Sequence, residues 1–236
     1  EDGDKEQKKV AQQKINKHLA QRQKYEQMLV QMTQTGQVQI STSDPDSVQL
    51  ITRNNITEVG YNVQSTVDAR YCIPIDFKVT NQNDSKAMGA MVRRAKTILG
   101  HNDFTALYDK GYHTGTELTY AHTHGVEVIV AFPEVGSHAP DLAFDVAHFN
   151  YDKQNDFYVC PAGKQLTTNG RWYNKINRNT INKVKHYKTK DCLDCPLFKQ
   201  CTKNKEGRLI ERSEHADLID ENKKRLNENL QLYRKR

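Results

Sequence analysis

The residue best placed to do chemistry is Asp109, in the stretch FTALYDKGYHTG at 104–115. A short run of strand formers, Phe104, Thr105, Leu107 and Tyr108, leads straight into this acid, and Lys110, Gly111 and Tyr112 follow it. A carboxylate at the C-terminal end of a strand can hold a hard divalent cation, because ligands of open α/β sheets bind beyond those strand ends. The same spacing also suits a plain turn former or an acid beside a helix start.

Five cysteines form the second set. Cys72 stands alone in an expected strand and reads as a small buried hydrophobe. Cys192 and Cys195 make a Cys-x-x-Cys turn, Cys201 follows it, and Cys160 can join them to complete a tetrahedral four-sulfur shell for a structural zinc ion. A reduced, packed dithiol or a disulfide pair fits the same spacing. A closed four-sulfur shell has no open coordination position, so no catalytic role is assigned to it.

The third set is basic and aromatic. Between Cys160 and Asp191 there is no acidic residue, while Lys164, Arg171, Lys175, Arg178, Lys183, Lys185, Lys188 and Lys190 are interleaved with Trp172, Tyr173 and Tyr187. Cations pair with phosphates and rings stack on bases, which makes Arg171, Trp172, Tyr173, Lys175, Arg178, Lys183 and Lys185 a candidate DNA-binding set. A solvated flexible loop is the alternative.

The elements that must position these residues follow from periodicity. Thr114 caps a helix carrying Leu118 and Ala121 and ending at Gly125, and a second apolar run follows at 126–132, so Asp109 sits in a βαβ unit. Upstream, the alternation of Val59, Tyr61, Val63 and Val67 and then of Ile73, Ile75, Phe77 and Val79, around a bend at Asp68, predicts a hairpin with one apolar face. Asp84 or Ser85 caps a helix with Met88, Met91, Val92, Ala95 and Ile98 on one face, closed by Gly100. Hairpin and parallel strands together predict one mixed sheet flanked by helices.

At the N-terminus, residues 4–33 read as a long polar helix ended by Gly36, its thin stripe of Val10, Ile15, Leu19, Met28, Leu29 and Met32 suiting either a coiled coil or a weakly packed arm. Residues 41–47 and 133–148 read as loops. A second hairpin is expected from 149–151 and 157–160. The last segment, 209–236, reads as a short strand, a helix over 214–226 and a basic end. The domains expected are therefore a helical arm (1–40), an α/β core (41–148), a cysteine-bearing basic insert (149–208) and a C-terminal helix leading back to the core (209–236).

With 236 residues, the chain can bury one good core plus a module. Its 36% hydrophobic and 27% charged content points to exposed helices or a polar insert. A net charge of +6 suits a polyanionic partner. No run approaches the roughly 18 apolar residues of a membrane helix and no signal-peptide pattern opens the chain, so a soluble, intracellular protein is expected. The start at Glu1 in a charge-rich helix suggests a piece of a longer polypeptide.

Several phrases in one order resemble DDE transposases of bacterial insertion sequences: GYNVQSTVDA at 60–69, VTNQNDSKAMGAMVRRAKTILG at 79–100, LYDKGYHTG at 107–115, CPAG at 160–163 and CLDCPLFKQC at 192–201. The resemblance is sharpest over 41–132. It implies a ribonuclease-H-like core in which three acids hold two Mg2+ or Mn2+ ions for cleaving and joining DNA phosphodiesters. It also implies transposon-end and target DNA as partners, self-association on DNA, no membrane, and a cytoplasmic, nucleoid-associated bacterial protein. Asp109 matches the second acid, with Lys110 and Tyr112 beside it. The first acid, in an Asp-Gly-Thr-like phrase, is not reproduced by the EDGD opening, and the Glu is expected just beyond the YRKR ending. This chain is therefore expected to lack two of three acids and to be inactive; Asp68, at the hairpin bend, is a weak substitute. A non-catalytic, zinc-stabilised nucleic-acid-binding protein is the alternative.

Overall fold

The structure is a computed structural model that describes residues 2–51, 56–80, 83–133, 139–177 and 180–234. It divides into two compact units, residues 1–87 and 88–236.

The first unit opens with helix α1, Asp2–Thr35, a run of Lys, Gln and Glu without proline that ends where Gly36 turns to φ +67°. Of its apolar stripe, Met28 is buried whereas Val10, Ile15, Leu19 and Leu29 are exposed. Strand β1, Val48–Ile51, which periodicity did not announce, pairs antiparallel with β2, Thr57–Gly60. The expected hairpin is present as β3, Asn62–Val67, and β4, Pro74–Thr80, with Val63 opposite Val79 and Ser65 opposite Phe77. Its apolar side is open: Val63, Val67, Phe77 and Val79 are all exposed.

One expectation in this unit is corrected. Cys72 is not a buried strand residue; it is exposed in the hairpin turn at φ +56°. That turn is set by the Asp68 carboxylate, which accepts from the backbone N–H groups of Arg70 (3.1 Å) and Tyr71 (2.6 Å). Of the two cap candidates for the following helix, Asp84 is engaged elsewhere, its Oδ1 accepting from Asn62 Nδ2 (2.7 Å) and Gln64 Nε2 (2.8 Å).

In the second unit, helix α2, Met88–Leu99, buries Met88, Met91, Val92 and Ala95, while Ile98, expected on that face, is exposed. Its first turn is capped from a distance by Glu117 Oε2, which accepts from Gly89 N at 2.6 Å. A Cβ on Gly89 would lie 2.5 Å from the Tyr120 ring, so this helix needs glycine to approach its neighbour. The βαβ unit is as expected: β5, Thr105–Tyr108, helix α3, Gly115–Thr123, and β6, Glu127–Val130, with the two strands parallel and Leu107 opposite Ile129. Thr114 Oγ1 accepts from Glu117 N at the helix start. Met88, Val92, Leu118, Ala121, Val128 and Val130 form the core between these elements.

Two three-stranded antiparallel sheets follow. One holds β7, Asn150–Asp152, β8, Phe157–Val159, and β9, Gln165–Thr167. The other holds β10, Tyr173–Asn177, β11, Thr180–Tyr187, and β12, Ile210–Ser213. A bridge between Thr167 and Lys188 joins them, and Phe149, Tyr158, Leu166, Tyr187 and Ile210 form a shared second core. The basic stretch is thus a sheet and not a flexible loop. Between β11 and β12 lies the short helix α4, Phe198–Cys201. Helices α5, Ala216–Glu228, and α6, Leu230–Arg234, complete the chain.

Helix α5 returns to the first core. Leu218 and Ile219 pack against it, and the fully buried Asn222 pairs with the outer edge of β6: Val130 N donates to Asn222 Oδ1, and Asn222 Nδ2 donates to Val130 O, both at 2.9 Å. The described strands form five small sheets of two or three strands each. Beside β6 the pairing positions at Val130 are taken by a helix side chain.

Asn222→Leu leaves a buried N–H and a buried C=O unpaired and should cost about 2–4 kcal/mol. Urea unfolding followed by the fluorescence of the single tryptophan, Trp172, in this unit measures the loss.

Candidate functional site

Asp109 stands where the strand pattern put it, just past the C-terminal end of β5, and its side chain is exposed. Oδ1 accepts from Gly111 N at 2.8 Å and starts a single 3-10 turn over Lys110–Tyr112. That bond orients the carboxylate. Behind it, Tyr108 packs on Tyr112 with ring centroids 5.0 Å apart, and burial pushes the Tyr108 phenol well above its ordinary range, so it stays neutral. Tyr233 O–H, from α6, donates to Tyr108 O at 2.9 Å. The end of the chain's last helix therefore lies at the backbone of the residue before Asp109.

Sequence reasoning missed His113 at the same rim. Its ring packs on Phe132 at 4.5 Å, and its Nε2 is buried with no hydrogen-bond partner among the described residues. Burial lowers its pKa, against a smaller opposing contribution from a backbone hydrogen bond. Among the described residues no group of three or more His, Cys, Asp and Glu side chains is close enough to hold a metal ion. Asp109 is therefore not part of a complete cation site among the described residues.

The basic set splits into two. Lys175 pairs with Glu211, and Lys185 donates to Asp156 Oδ2 at 2.7 Å while lying 5.2 Å from the Trp172 ring centroid. These two charges are partly spent inside the fold. Arg171 and Lys183 are exposed, and their side chains make no ion pair among the described residues. Trp172 is 48% exposed. Tyr173 stacks flat on His186, 4.5 Å apart with planes 6° from parallel. Arg178 lies outside the described residues.

Asp156, passed over in the sequence as a turn residue, is what absorbs Lys185. It adopts φ +54° and also accepts from Tyr151 and Tyr187 hydroxyls at 2.8 and 2.5 Å. Desolvation opposes its charge, but the bonds from Lys185, Tyr187 and Tyr151 outweigh it and hold the carboxyl down at about 2. Arg212, also missed, lies 3.8 Å over the Tyr151 ring and donates to Tyr158 Oη, Asp217 and Asp220. This links the β10–β12 sheet, the β7–β9 sheet and α5.

The four cysteines 160, 192, 195 and 201 line a single cavity, and all are free thiols. Cys160 leaves β8, Cys192 ends a 3-10 turn, and Cys201 ends α4.

With this geometry in hand, comparison with known proteins is informative in one region. Residues 159–236 match the family described as transposase DDE domain. The match spans 78 of the 236 residues, about a third of the chain. No curated protein and no solved structure matches the chain. The matched segment runs from the end of β8 to α6, so it holds all four clustered thiols, the basic sheet and the helices that reach Val130 and Tyr108. Asp109 lies outside it, on the strands that this segment packs against. No helix among the described residues is long and apolar enough to cross a membrane.

The pH behaviour of the rim follows from the sign of the His113 shift. A folded pKa below the unfolded value of about 6.5 means that the contribution to stability is complete above that pH and is lost as pH falls below it. Denaturant midpoints measured between pH 7.5 and 5 should therefore drop more steeply for the native chain than for His113→Gln.

Proposed function

We propose that this chain is part of a DDE transposase of a bacterial insertion sequence, with a ribonuclease-H-like core, and that Asp109 is one of the carboxylates that hold its catalytic Mg2+ or Mn2+. The observation that carries the reading is the packing of the family-matching segment onto the strands that present Asp109, through Asn222 to Val130 and Tyr233 to Tyr108. Bound divalent ions would supply Lewis-acid stabilisation of the attacking and leaving oxygens at a phosphodiester. The chain's own contribution is positional. The Gly111 N–H fixes one carboxylate oxygen, the Tyr233 hydroxyl fixes the strand end behind it, and Lys110 is exposed beside it to meet phosphate.

DNA would be held by exposed side chains of the β10–β11 ribbon and of the residues just before it, with Arg171 and Lys183 pairing with phosphates and Trp172 stacking on bases. Lys175 and Lys185 would act mainly by keeping the ribbon in place, through Glu211 and Asp156. Transposon ends and target DNA are the partners this reading implies, with self-association on DNA.

In a protein that contains this chain and cleaves DNA with Mg2+ or Mn2+, Asp109→Ala should lower strand cleavage by about a thousandfold or more while leaving DNA affinity nearly unchanged. Retained cleavage would remove Asp109 from the active site. For binding, Arg171→Ala with Lys183→Ala should flatten the plot of log affinity against log salt by about 2, at about 0.9 per phosphate contact. An unchanged slope would return both cations to solvent.

A further inference from the structure

We infer that Cys160, Cys192, Cys195 and Cys201 form a tetrathiolate site for one structural zinc ion, an assignment that does not depend on the transposase reading. The four residues are brought from separate places in the chain to the wall of one cavity of about 30 Å³. That is room for one water-sized occupant. The rest of the lining includes Phe144, Phe149, Leu166, Leu197 and Phe198, so the half-buried thiols meet in a largely apolar pocket.

The backbone around the thiols is arranged to receive thiolates. The turn after Cys160 is closed by Gly163 N donating to Cys160 O at 2.8 Å, with Gly163 at φ +75°. Its result is that Lys164 N donates to Cys160 Sγ at 3.3 Å, a bond that favours negative charge on sulfur. Cys195 N donates to Cys192 O at 3.2 Å, folding the Cys-x-x-Cys segment so that both residues reach the same cavity. Gly207, at φ +101°, comes so close that a Cβ there would stand 2.8 Å from Cys192 Cβ, so the loop before β12 closes over the thiols. Arg208 also lines the cavity and donates to Cys201 O at 3.4 Å, a cation beside what would be a doubly negative zinc tetrathiolate.

As the side chains stand, no three of them are close enough to hold a metal. Loading therefore requires the thiols to turn inward, and as four Zn–S bonds form, four S–H protons pass to solvent; no electron is transferred. The need for such a staple is visible in the module itself. Its three strands have three residues each, and its core contains five buried residues. A metal cross-link between β8, the Cys192 turn and α4 compensates for so small a core.

The test uses the whole chain, purified under reducing conditions without chelator, with zinc measured by mass spectrometry and thiols titrated with a colorimetric disulfide reagent. The expected result is about one zinc per chain. Cys72, exposed in its turn, should react at once, and the other four thiols only as a chelator withdraws zinc, with metal release and thiol reaction in step. Cys192→Ser with Cys195→Ser should lose most of the zinc, and the native chain stands as its own measurement if that variant does not fold. Five thiols reacting at once without zinc, or four slow thiols with no metal bound, would overturn the site.

Discussion

Asn222 does for β6 what a neighbouring strand would do. One side-chain amide, wholly buried, accepts from and donates to the backbone of Val130 at 2.9 Å. Without it the outer edge of a short parallel pair would carry an unpaired donor and acceptor inside a core, at a cost of a few kcal/mol on the order of 1–3 for each group. Because Asn222 lies in the middle of α5, the same two bonds set where that helix crosses the strand. Leu218 and Ile219 on the preceding turn then reach the core of Met88, Val92 and Leu118. The consequence for function is that residues far apart in sequence share one rigid platform. The rim at Asp109 and the family-matching segment are parts of the same packing unit.

A second constraint organises the basic region. The chain from 161 to 190 contains no acid, yet its sheet is not held apart by repulsion, because acids from either side of that run come to meet it. Asp156 takes Lys185 and two tyrosine hydroxyls, and Glu211 takes Lys175. Buried or half-buried pairs of this kind fix geometry more than they add stability. Lys175 is tied to Glu211 on β12 of the same sheet and Lys185 to Asp156 at the neighbouring sheet, while Arg171, Lys183 and much of Trp172 remain exposed. Arg212, bonded to Tyr158, Asp217 and Asp220 and lying over Tyr151, carries the same order on into α5.

Sequence periodicity was enough to locate the elements that matter. The strand into Asp109, the Thr114 cap, the helix end at Gly125 and the parallel return strand all rest on local rules of capping and alternation, and each is found as expected. What local rules do not carry is pairing at a distance. The role of Glu117 as a cap for another helix, the pairing of Asn222 with Val130 and the salt bridges of Asp156 join residues about 28, 92 and 29 positions apart. Nothing in the spacing of a polar residue reveals that it is buried. The same reason explains Cys72: its apolar character suggested a strand interior, but the Asp68 carboxylate organises a turn that puts it outside.

The platform can be tested at one atom. The Val130 N–H points away from β5 and has only Asn222 Oδ1 to bond, so its amide hydrogen exchange reports the α5 contact directly. The expected result is exchange as slow as the most protected amides of β5 and β6, becoming fast in Asn222→Ala while the amides between the two strands stay slow. Rapid exchange at Val130 in the native chain would mean that α5 does not seal this edge, and the link between the matched segment and the Asp109 rim would fall with it.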